Sequence, residues 1–158
     1  MLRIFILCLL IANSALAKDL ELGASAQGLY VIDGDSVNLK MRLAGIDAPE
    51  IGQLCQKTIA KRIDCGRFSA EQLQLLLNQT PGELRIQIVG MDKYQRLLVK
   101  IYKGDVNIGQ LMVKQGLAFS YRDTYLSEQR QAQANNLGFW AFESPPIQPY
   151  RWRRSHRP

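Results

Sequence analysis

Three short segments of the chain gather carboxylates and arginines. They are Asp33-Gly-Asp, the segment from Arg42 to Glu50, and the segment from Asp92 to Arg96. Carboxylate oxygens suit hard cations, and guanidinium groups suit the oxygens of phosphate esters. Each segment alone is a weak signal, because an Asp-Gly pair between strands usually forms only a hairpin turn. Chemistry on a phosphate is therefore one interpretation, and simple structural turns are the other.

Arg42 illustrates why single residues leave both interpretations open. It alternates with apolar Met41 and Leu43, which is the pattern expected of an arginine on the solvent face of a strand. The Asp-Ala-Pro-Glu sequence at 47–50 is equally compatible with the exit of a loop. The order and combination of the segments carry more information than any one of them.

Together and in this order, the three segments resemble the staphylococcal-nuclease-like (thermonuclease) family. That family has the pattern Asp-Gly-Asp, Arg-x-x-x-x-Asp-x-Pro-Glu and Asp-Lys-Tyr-Gly-Arg, and the likeness runs from about Gly28 to Trp140. The resemblance implies an α+β protein with a five-stranded OB-type Greek-key β-barrel and about three helices. It also implies a Ca²⁺-dependent endonuclease that hydrolyses DNA and RNA and leaves 3′-phosphate ends.

The resemblance also implies a set of metal ligands. Asp35 and Asp47 would bind Ca²⁺ through their carboxylates, and Ala48 would bind it through its carbonyl oxygen. Ca²⁺ takes about six to eight oxygen ligands, so such a site leaves room for water and a substrate phosphate. The metal would polarise the phosphoryl oxygen and help to orient the attacking water. Asp33 is expected to fix the turn rather than to bind metal.

Three further residues match the catalytic positions of the family. Glu50 follows Asp47 by three residues, with Pro49 limiting the backbone between them, so its carboxylate can face the same site and act as general base. Arg42 and Arg96 match two arginines whose planar forks suit the oxygens of the phosphorane-like transition state and the leaving 5′ oxygen.

Substrate contacts are implied at Lys93, Tyr94 and Tyr121, the last by stacking on a base. Gln95 stands where the family pattern has a turn glycine. If that turn needs a positive φ, we expect strain of about 1 kcal/mol at Gln95.

Periodicity alone predicts one α+β domain. The segment 47–66 shows no clear period, so we expect a long loop there, and Ser69 with Gln72 forms a plausible capping box. Strands are predicted at 28–32, 36–46, 83–89 and 96–102, mostly antiparallel, and helices at 68–78, 107–115 and 127–136.

Residues 1–17 have the pattern of a secretory signal peptide. Arg3 precedes an apolar run, and Ala15-Leu-Ala17 resembles a cleavage site. The run is about half of the roughly 20 residues that a spanning helix needs, so we expect no stable membrane anchor after signal removal. The protein is therefore expected to be periplasmic or secreted, with Cys8 lost with the signal.

Cys55 and Cys65 are the two cysteines left in the mature chain. An oxidising compartment favours a disulfide between them, worth about 2 to 3 kcal/mol by loop closure. Zinc is the competing interpretation. It lacks ligands, because a structural site takes four Cys or His groups and the chain has a single histidine.

Charge separates a nearly neutral domain from a basic tail. The formal net charge is +6, yet residues 18–143, the predicted nuclease domain, carry 15 basic and 14 acidic side chains. The Pro- and Arg-rich tail at 144–158 is either a phosphate-binding segment or a solvated terminus. The main alternative is an OB module that binds nucleic acid without catalysis, but a nearly neutral domain lacks the basic surface expected of such a module. A structural envelope protein is the other alternative, and it would leave the clustered acids unexplained. We expect a monomer.

Overall fold

The computed structural model describes residues 29–156. The predicted signal peptide at 1–17, with Cys8, lies outside the described residues. Within the described range, no helix is long and apolar enough to cross a membrane. The strands are β1 (Leu29–Val31), β2 (Val37–Leu39), β3 (Met41–Leu43), β4 (Ile46–Asp47), β5 (Leu54–Thr58), β6 (Lys61–Asp64), β7 (Leu84–Met91), β8 (Leu97–Lys103), β9 (Val106–Asn107) and β10 (Phe119–Ser120). The helices are α1 (Cys65–Gln79), α2 (Ile108–Lys114), α3 (Leu126–Ala134), a short 3₁₀ helix (Gly138–Ala141) and α4 (Pro149–Ser155).

Strand β8 is the centre of the largest sheet. It pairs with β7 in an antiparallel hairpin, with β9 in antiparallel register, and with β3 in parallel register. The remaining strands form separate antiparallel ladders, β1 with β2, β4 with β10, and β5 with β6. The α+β class is as expected, but the described residues do not form a clearly closed five-stranded barrel, because the β1–β2 ladder pairs only with itself.

The segment predicted as a long loop contains regular structure. Residues 54–64 form the β5–β6 hairpin, whose register shifts between Gln56 and Thr58. That irregularity and the shortness of the strands hide any alternation in the sequence. Pro49 and Gly52 do lie outside the strands, but the expectation was wrong for the hairpin, for Asp47 at the end of β4 and for residues 65–66, which begin α1.

Helix α1 begins three residues earlier than predicted. Its N-cap is Asp64, whose carboxylate accepts a hydrogen bond from the backbone N–H of Arg67 at 2.9 Å. Aspartate is among the best N-cap residues, so it takes the role expected of Ser69. The Ser69 hydroxyl is buried instead and donates to the carbonyl oxygen of Leu117 at 2.8 Å.

Two apolar clusters lie beneath the helices. In the larger, Ile46 of β4 packs with Met112 and Val113 of α2, followed by Leu117, Ala118 and Tyr125. The smaller contains Phe139 and the disulfide between Cys55 and Cys65, whose Cα atoms are 6.0 Å apart. The expected disulfide is therefore present, and it joins β5 to the first residue of α1. Both clusters border the segment 46–53, which holds the predicted site.

Candidate active site

Asp47 ends strand β4 and is the most buried acid of the predicted site. Its backbone pairs with Phe119 of β10, next to Ile46 in the apolar core, and only 5% of the residue is exposed. A carboxylate in such a place requires charged partners. Arg42 Nη2 donates to Oδ1 at 2.9 Å, and the guanidinium of Arg153 donates to both oxygens, at 3.2 Å to Oδ1 and 2.9 Å to Oδ2.

Glu50 is held at its backbone by Gln53 and at its side chain by Arg153. Its N–H donates to the Gln53 side chain at 3.1 Å, and its carbonyl accepts from the Gln53 N–H at 2.8 Å. Gln53 is fully buried and anchored in turn to the carbonyl of Ile147. Gly66 packs directly on the Glu50 carbonyl, since a Cβ there would lie 2.0 Å from its oxygen. The half-buried carboxylate of Glu50 accepts from Arg153 Nη1 at 2.6 Å.

Arg42 lies in β3, in parallel register with Leu98 of β8. Its side chain is 28% exposed and pairs with Asp47, so it is not simply a solvent-facing arginine of the strand. The pairing of β3 with β8 brings this arginine toward the turn between β7 and β8, where the next arginine lies.

Arg96 is oriented by Asp92 across that turn. Both Nε and Nη2 of Arg96 donate to Asp92 Oδ2, at 2.7 and 2.6 Å, while Oδ1 accepts the backbone N–H groups of Tyr94 and Arg96. Burial raises the pKa of Asp92, but these hydrogen bonds and the Arg96 charge outweigh it and hold the pKa below its usual value. Gln95 has φ 59°, the strained turn conformation anticipated when it replaces glycine. The sequence reasoning included Asp92 in a motif but gave it no role.

One cleft of about 970 Å³ brings most of the predicted residues together. It is lined by the predicted Arg42, Glu50, Lys93, Tyr94, Arg96 and Tyr121, and also by Tyr30, Lys40, Arg122, Tyr150, Arg153 and Arg154. Cations therefore outnumber carboxylates along its walls, and four tyrosines stand among them. This pattern suits a polyanion whose bases can stack on aromatic rings.

The structure does not bring Asp35 into this group. Asp35 lies exposed in the turn between β1 and β2, where its carboxylate accepts from the Ser36 hydroxyl at 3.1 Å. Its N–H donates to Asp33 Oδ1 at 3.2 Å, so Asp33 supports the turn as expected. The β1–β2 ladder is not paired with the sheet that carries Arg42, which explains the separation. Across residues 29–156, no three Asp, Glu, His or Cys side chains are grouped as a metal site.

The donor chemistry around Asp47 nevertheless fits a hard cation. Asp47 and Glu50 present carboxylate oxygens to a single guanidinium, which shows that both can reach one positively charged group. Ala48, the half-buried residue after Asp47, adds a backbone carbonyl. An all-oxygen donor set of this kind suits Ca²⁺ or Mg²⁺ rather than a soft metal.

Arg153 is the residue of this site that the sequence reasoning missed. The basic tail was expected to be either phosphate-binding or solvated, yet residues 149–155 form helix α4 with Pro149 in its first turn. Hydrogen bonding to Asp47, followed by that to Glu50, raises the pKa of Arg153, and this outweighs the opposing effect of its partial burial. Two signals were available in the sequence. Pro favours the first position of a helix, and Tyr150, Arg153 and Arg154 have the spacing of one helical face.

Carboxylates beside arginines in a cationic, tyrosine-lined cleft are the groups expected of an enzyme that hydrolyses phosphodiesters. A model of the family described as staphylococcal nuclease homologue matches residues 40–142. The chain therefore belongs to this family, and the resemblance is confirmed. The matched range includes every predicted site residue except Asp35, and it ends before Arg153.

Several named proteins are similar to this chain. An uncharacterized endonuclease of Haemophilus influenzae is 36% identical over 140 residues, which covers 80% of this chain and 71% of that protein. A micrococcal nuclease of Shigella flexneri is 28% identical over 151 residues, covering 80% of this chain and 79% of that protein. A probable staphylococcal-like nuclease of Oryza sativa is 31% identical over 124 residues, covering 75% of this chain but 33% of that longer protein.

Proposed function

We propose that this protein is a Ca²⁺-dependent endonuclease that cleaves DNA and RNA and leaves 3′-phosphate ends. The observation that carries the proposal is the single cleft that unites Arg42, Glu50 and Arg96 with the predicted substrate residues. The names of the Haemophilus influenzae and Shigella flexneri relatives support nucleic acid as the substrate.

The proposed chemistry uses Glu50 as general base toward a water molecule. The water oxygen attacks phosphorus, the bond from phosphorus to the 5′ oxygen breaks, and a proton passes to that oxygen. One product therefore ends in a 3′-phosphate and the other in a 5′-hydroxyl. Arg42 and Arg96 stabilise negative charge on the phosphoryl oxygens and on the leaving oxygen, where preorganised donors have their largest effect.

Asp47 and the carbonyl of Ala48 are the residues that would hold Ca²⁺, and the resemblance adds the carboxylate of Asp35, which the structure leaves in the exposed turn between β1 and β2. When bound, such an ion supplies Lewis-acid polarisation of a phosphoryl oxygen. Lys93 and Tyr94 contact the phosphate of the substrate strand, and Tyr121 stacks on a base. Lys93 and Arg96 both lie over the Tyr94 ring, at 4.9 and 5.5 Å from its centre, so this ring is already presented next to cations.

We also propose that the protein is exported to the periplasm or beyond, as a monomer without a membrane anchor. The signal-like pattern of residues 1–17 supports export. The Cys55–Cys65 disulfide supports an oxidising compartment.

The test is cleavage of circular single-stranded DNA and of RNA by the mature protein, with Ca²⁺ or with excess chelator. Arg42→Ala and Glu50→Gln should each lose at least about a hundredfold in rate, which is the usual scale for a lost oxyanion donor or general base. Arg85→Ala is the matched control, because Arg85 packs on Tyr102 outside the cleft. Circular DNA has no ends, so only an endonuclease can open it. A kinase that labels the 5′ ends of the products without prior phosphatase treatment shows that these ends are 5′-hydroxyls.

Each outcome decides between functions. Ca²⁺-dependent opening that disappears in both cleft variants but not in Arg85→Ala supports the proposal. A folded protein that binds single-stranded DNA without cutting it would instead be a non-catalytic binding module. Activity with Mg²⁺ but not Ca²⁺ would retain the nuclease and reject calcium.

A further inference from the structure

The guanidinium of Arg153 occupies the position between the two carboxylates of the site. It makes three hydrogen bonds, two to Asp47 at 2.9 and 3.2 Å and one to Glu50 at 2.6 Å. The side chain is 35% exposed at the cleft, whereas that of Asp47 is 6% exposed. Arg153 therefore reaches in from the solvent side and covers oxygens that would otherwise face the cleft.

The charges of this group are balanced without any metal. Two carboxylates, Asp47 and Glu50, face two guanidinium groups, those of Arg42 and Arg153. A divalent cation attracted to the same oxygens would add positive charge beside an arginine already there. Like charges at ion-pair distance repel strongly in a partly buried site. Arg153 and a metal ion held by Asp47 therefore compete for the carboxylate oxygens of Asp47, and the ion would also lie close to the guanidinium that Glu50 holds.

Helix α4 is built so that this contact can be released. Within the described chain, the hydrogen bonds that join residues 149–156 to other elements all come from the Arg153 side chain. The chain just before the helix stays anchored, because Gln53 holds the carbonyl of Ile147 and Pro149 is buried. Breaking the Arg153 contacts leaves the anchor in place and removes the hydrogen bonds that join this seven-residue helix to other elements, while Trp152 remains half-buried.

We propose that Arg153 is an intramolecular competitor of the catalytic metal. The Arg153 side chain of α4 lies against Asp47 and Glu50, and a divalent cation must displace its guanidinium in order to bind Asp47. The proposal rests on the proposed metal-dependent function. Arg153 is a regulatory residue of the site and not a group that reacts with substrate.

The first test is Ca²⁺ binding by calorimetry at low ionic strength, with no nucleic acid present. Arg153→Ala should bind Ca²⁺ at least about tenfold more tightly than the wild type, since coupling of this size is usual between competing ligands. Arg154→Ala is the matched control. It removes the same charge from the same helix, but Arg154 has no contact with either carboxylate, so its affinity should change less than about twofold. Arg153→Lys should lie between wild type and alanine, because lysine keeps the charge but not the bidentate fork.

The second test follows the helix itself by limited trypsin digestion. Trypsin cuts after the arginines of α4, and mass spectrometry reports loss of the residues beyond Arg151 or Arg154. Added Ca²⁺ should speed this cut in the wild type, whereas Arg153→Ala should be cut quickly with or without Ca²⁺. Thermal unfolding of each variant shows that any difference is not a loss of fold.

Several results would overturn the proposal. They are equal or weaker Ca²⁺ binding by folded Arg153→Ala, an equal gain in Arg154→Ala, absence of Ca²⁺ binding by both wild type and Arg153→Ala, or tryptic cutting that ignores Ca²⁺. Failure of the nuclease proposal is distinct from all of these. It would appear as an absence of cleavage in a protein whose Ca²⁺ binding and α4 release behave as described.

Discussion

Substitution of Gly66 by alanine is expected to disable the enzyme through the backbone of Glu50. Gly66 is buried in the first turn of α1, and its helical φ is open to any residue. The space around Gly66, however, leaves no room for a side chain. A Cβ at this position would lie 2.0 Å from the Glu50 carbonyl oxygen and 2.1 Å from the carbonyl carbon. Because carbon atoms pack at about 3.5 to 4 Å, the 50–51 backbone or α1 must shift by at least roughly 1 Å.

Two effects of different size follow from this shift. Overpacking of a core typically costs about 1 to 3 kcal/mol of stability. Displacement of a catalytic group by about 1 Å can cost on the order of a hundredfold in rate. We therefore expect Gly66→Ala to lose roughly a hundredfold in kcat on single-stranded DNA while it stays folded, since alanine's higher helix propensity returns up to about 1 kcal/mol.

The control is Ala70→Gly in the same helix. Ala70 is exposed, so this change should lower stability by about 1 kcal/mol without moving Glu50. Urea unfolding gives the stability of each variant, and steady-state cleavage gives kcat and KM. If Gly66→Ala keeps kcat within about twofold of wild type, the packing of α1 on Glu50 does not position the base. If Ala70→Gly loses as much activity, instability rather than position explains the effect.

Three further predictions concern charge and cross-linking. Because folding lowers the pKa of Asp92, the ionised carboxylate stabilises the fold fully above the unfolded pKa of about 3.9, and this stabilisation is lost as pH falls through the folded pKa. Urea melts should therefore show that the stability advantage of wild type over Asp92→Asn shrinks at low pH. At neutral pH, the same variant should have lower activity because Arg96 loses its partner. Replacing Cys55 and Cys65 by serine should lower the free energy of unfolding by about 2 to 3 kcal/mol. In fluorescence titrations with single-stranded DNA, Arg154→Ala should reduce the slope of log K against log salt by about 0.7.

Each of these has a contradicting result. A stability difference between wild type and Asp92→Asn that is constant from pH 6 to 2 would show that the Arg96 pair does not lower the pKa of Asp92. Unchanged urea midpoints for the double serine variant would mean that the disulfide stabilises little beyond the packing of its sulfur atoms. An unchanged salt slope for Arg154→Ala would remove this arginine from the strand-binding wall.

The structure places the predicted site residues near one another where they lie close together in sequence. Asp47, Ala48 and Glu50 occupy one short segment, and Tyr94 and Arg96 share one turn, so their local geometry follows from neighbouring residues. Arg42 was more ambiguous, because a strand pattern does not say which face meets the core. Its pairing with Asp47 and the parallel register with β8 resolve that ambiguity.

The elements show the same division between local and distant causes. Helices α2 and α3 begin and end within about two residues of the prediction, and for α2 the Asn107 cap is a local signal. The β5–β6 hairpin was missed, since its strands are short, irregular and lack alternation. The start of α1 moved to Asp64 because two nearby residues could cap the helix and Ser69 was needed in the core.

The amino-acid sequence by itself determined the family, the α+β class and six of the side chains that line the cleft. These depend on short motifs, in which each residue acts close to its neighbours. Only the tertiary structure decided that a nearly neutral domain has a strongly cationic cleft, because folding concentrates arginines and lysines from four separate segments on one surface. It also decided that Arg153 meets Asp47 across 106 residues of chain. No local pattern specifies such a contact, since its partners are chosen by burial of Asp47 and by the docking of α4.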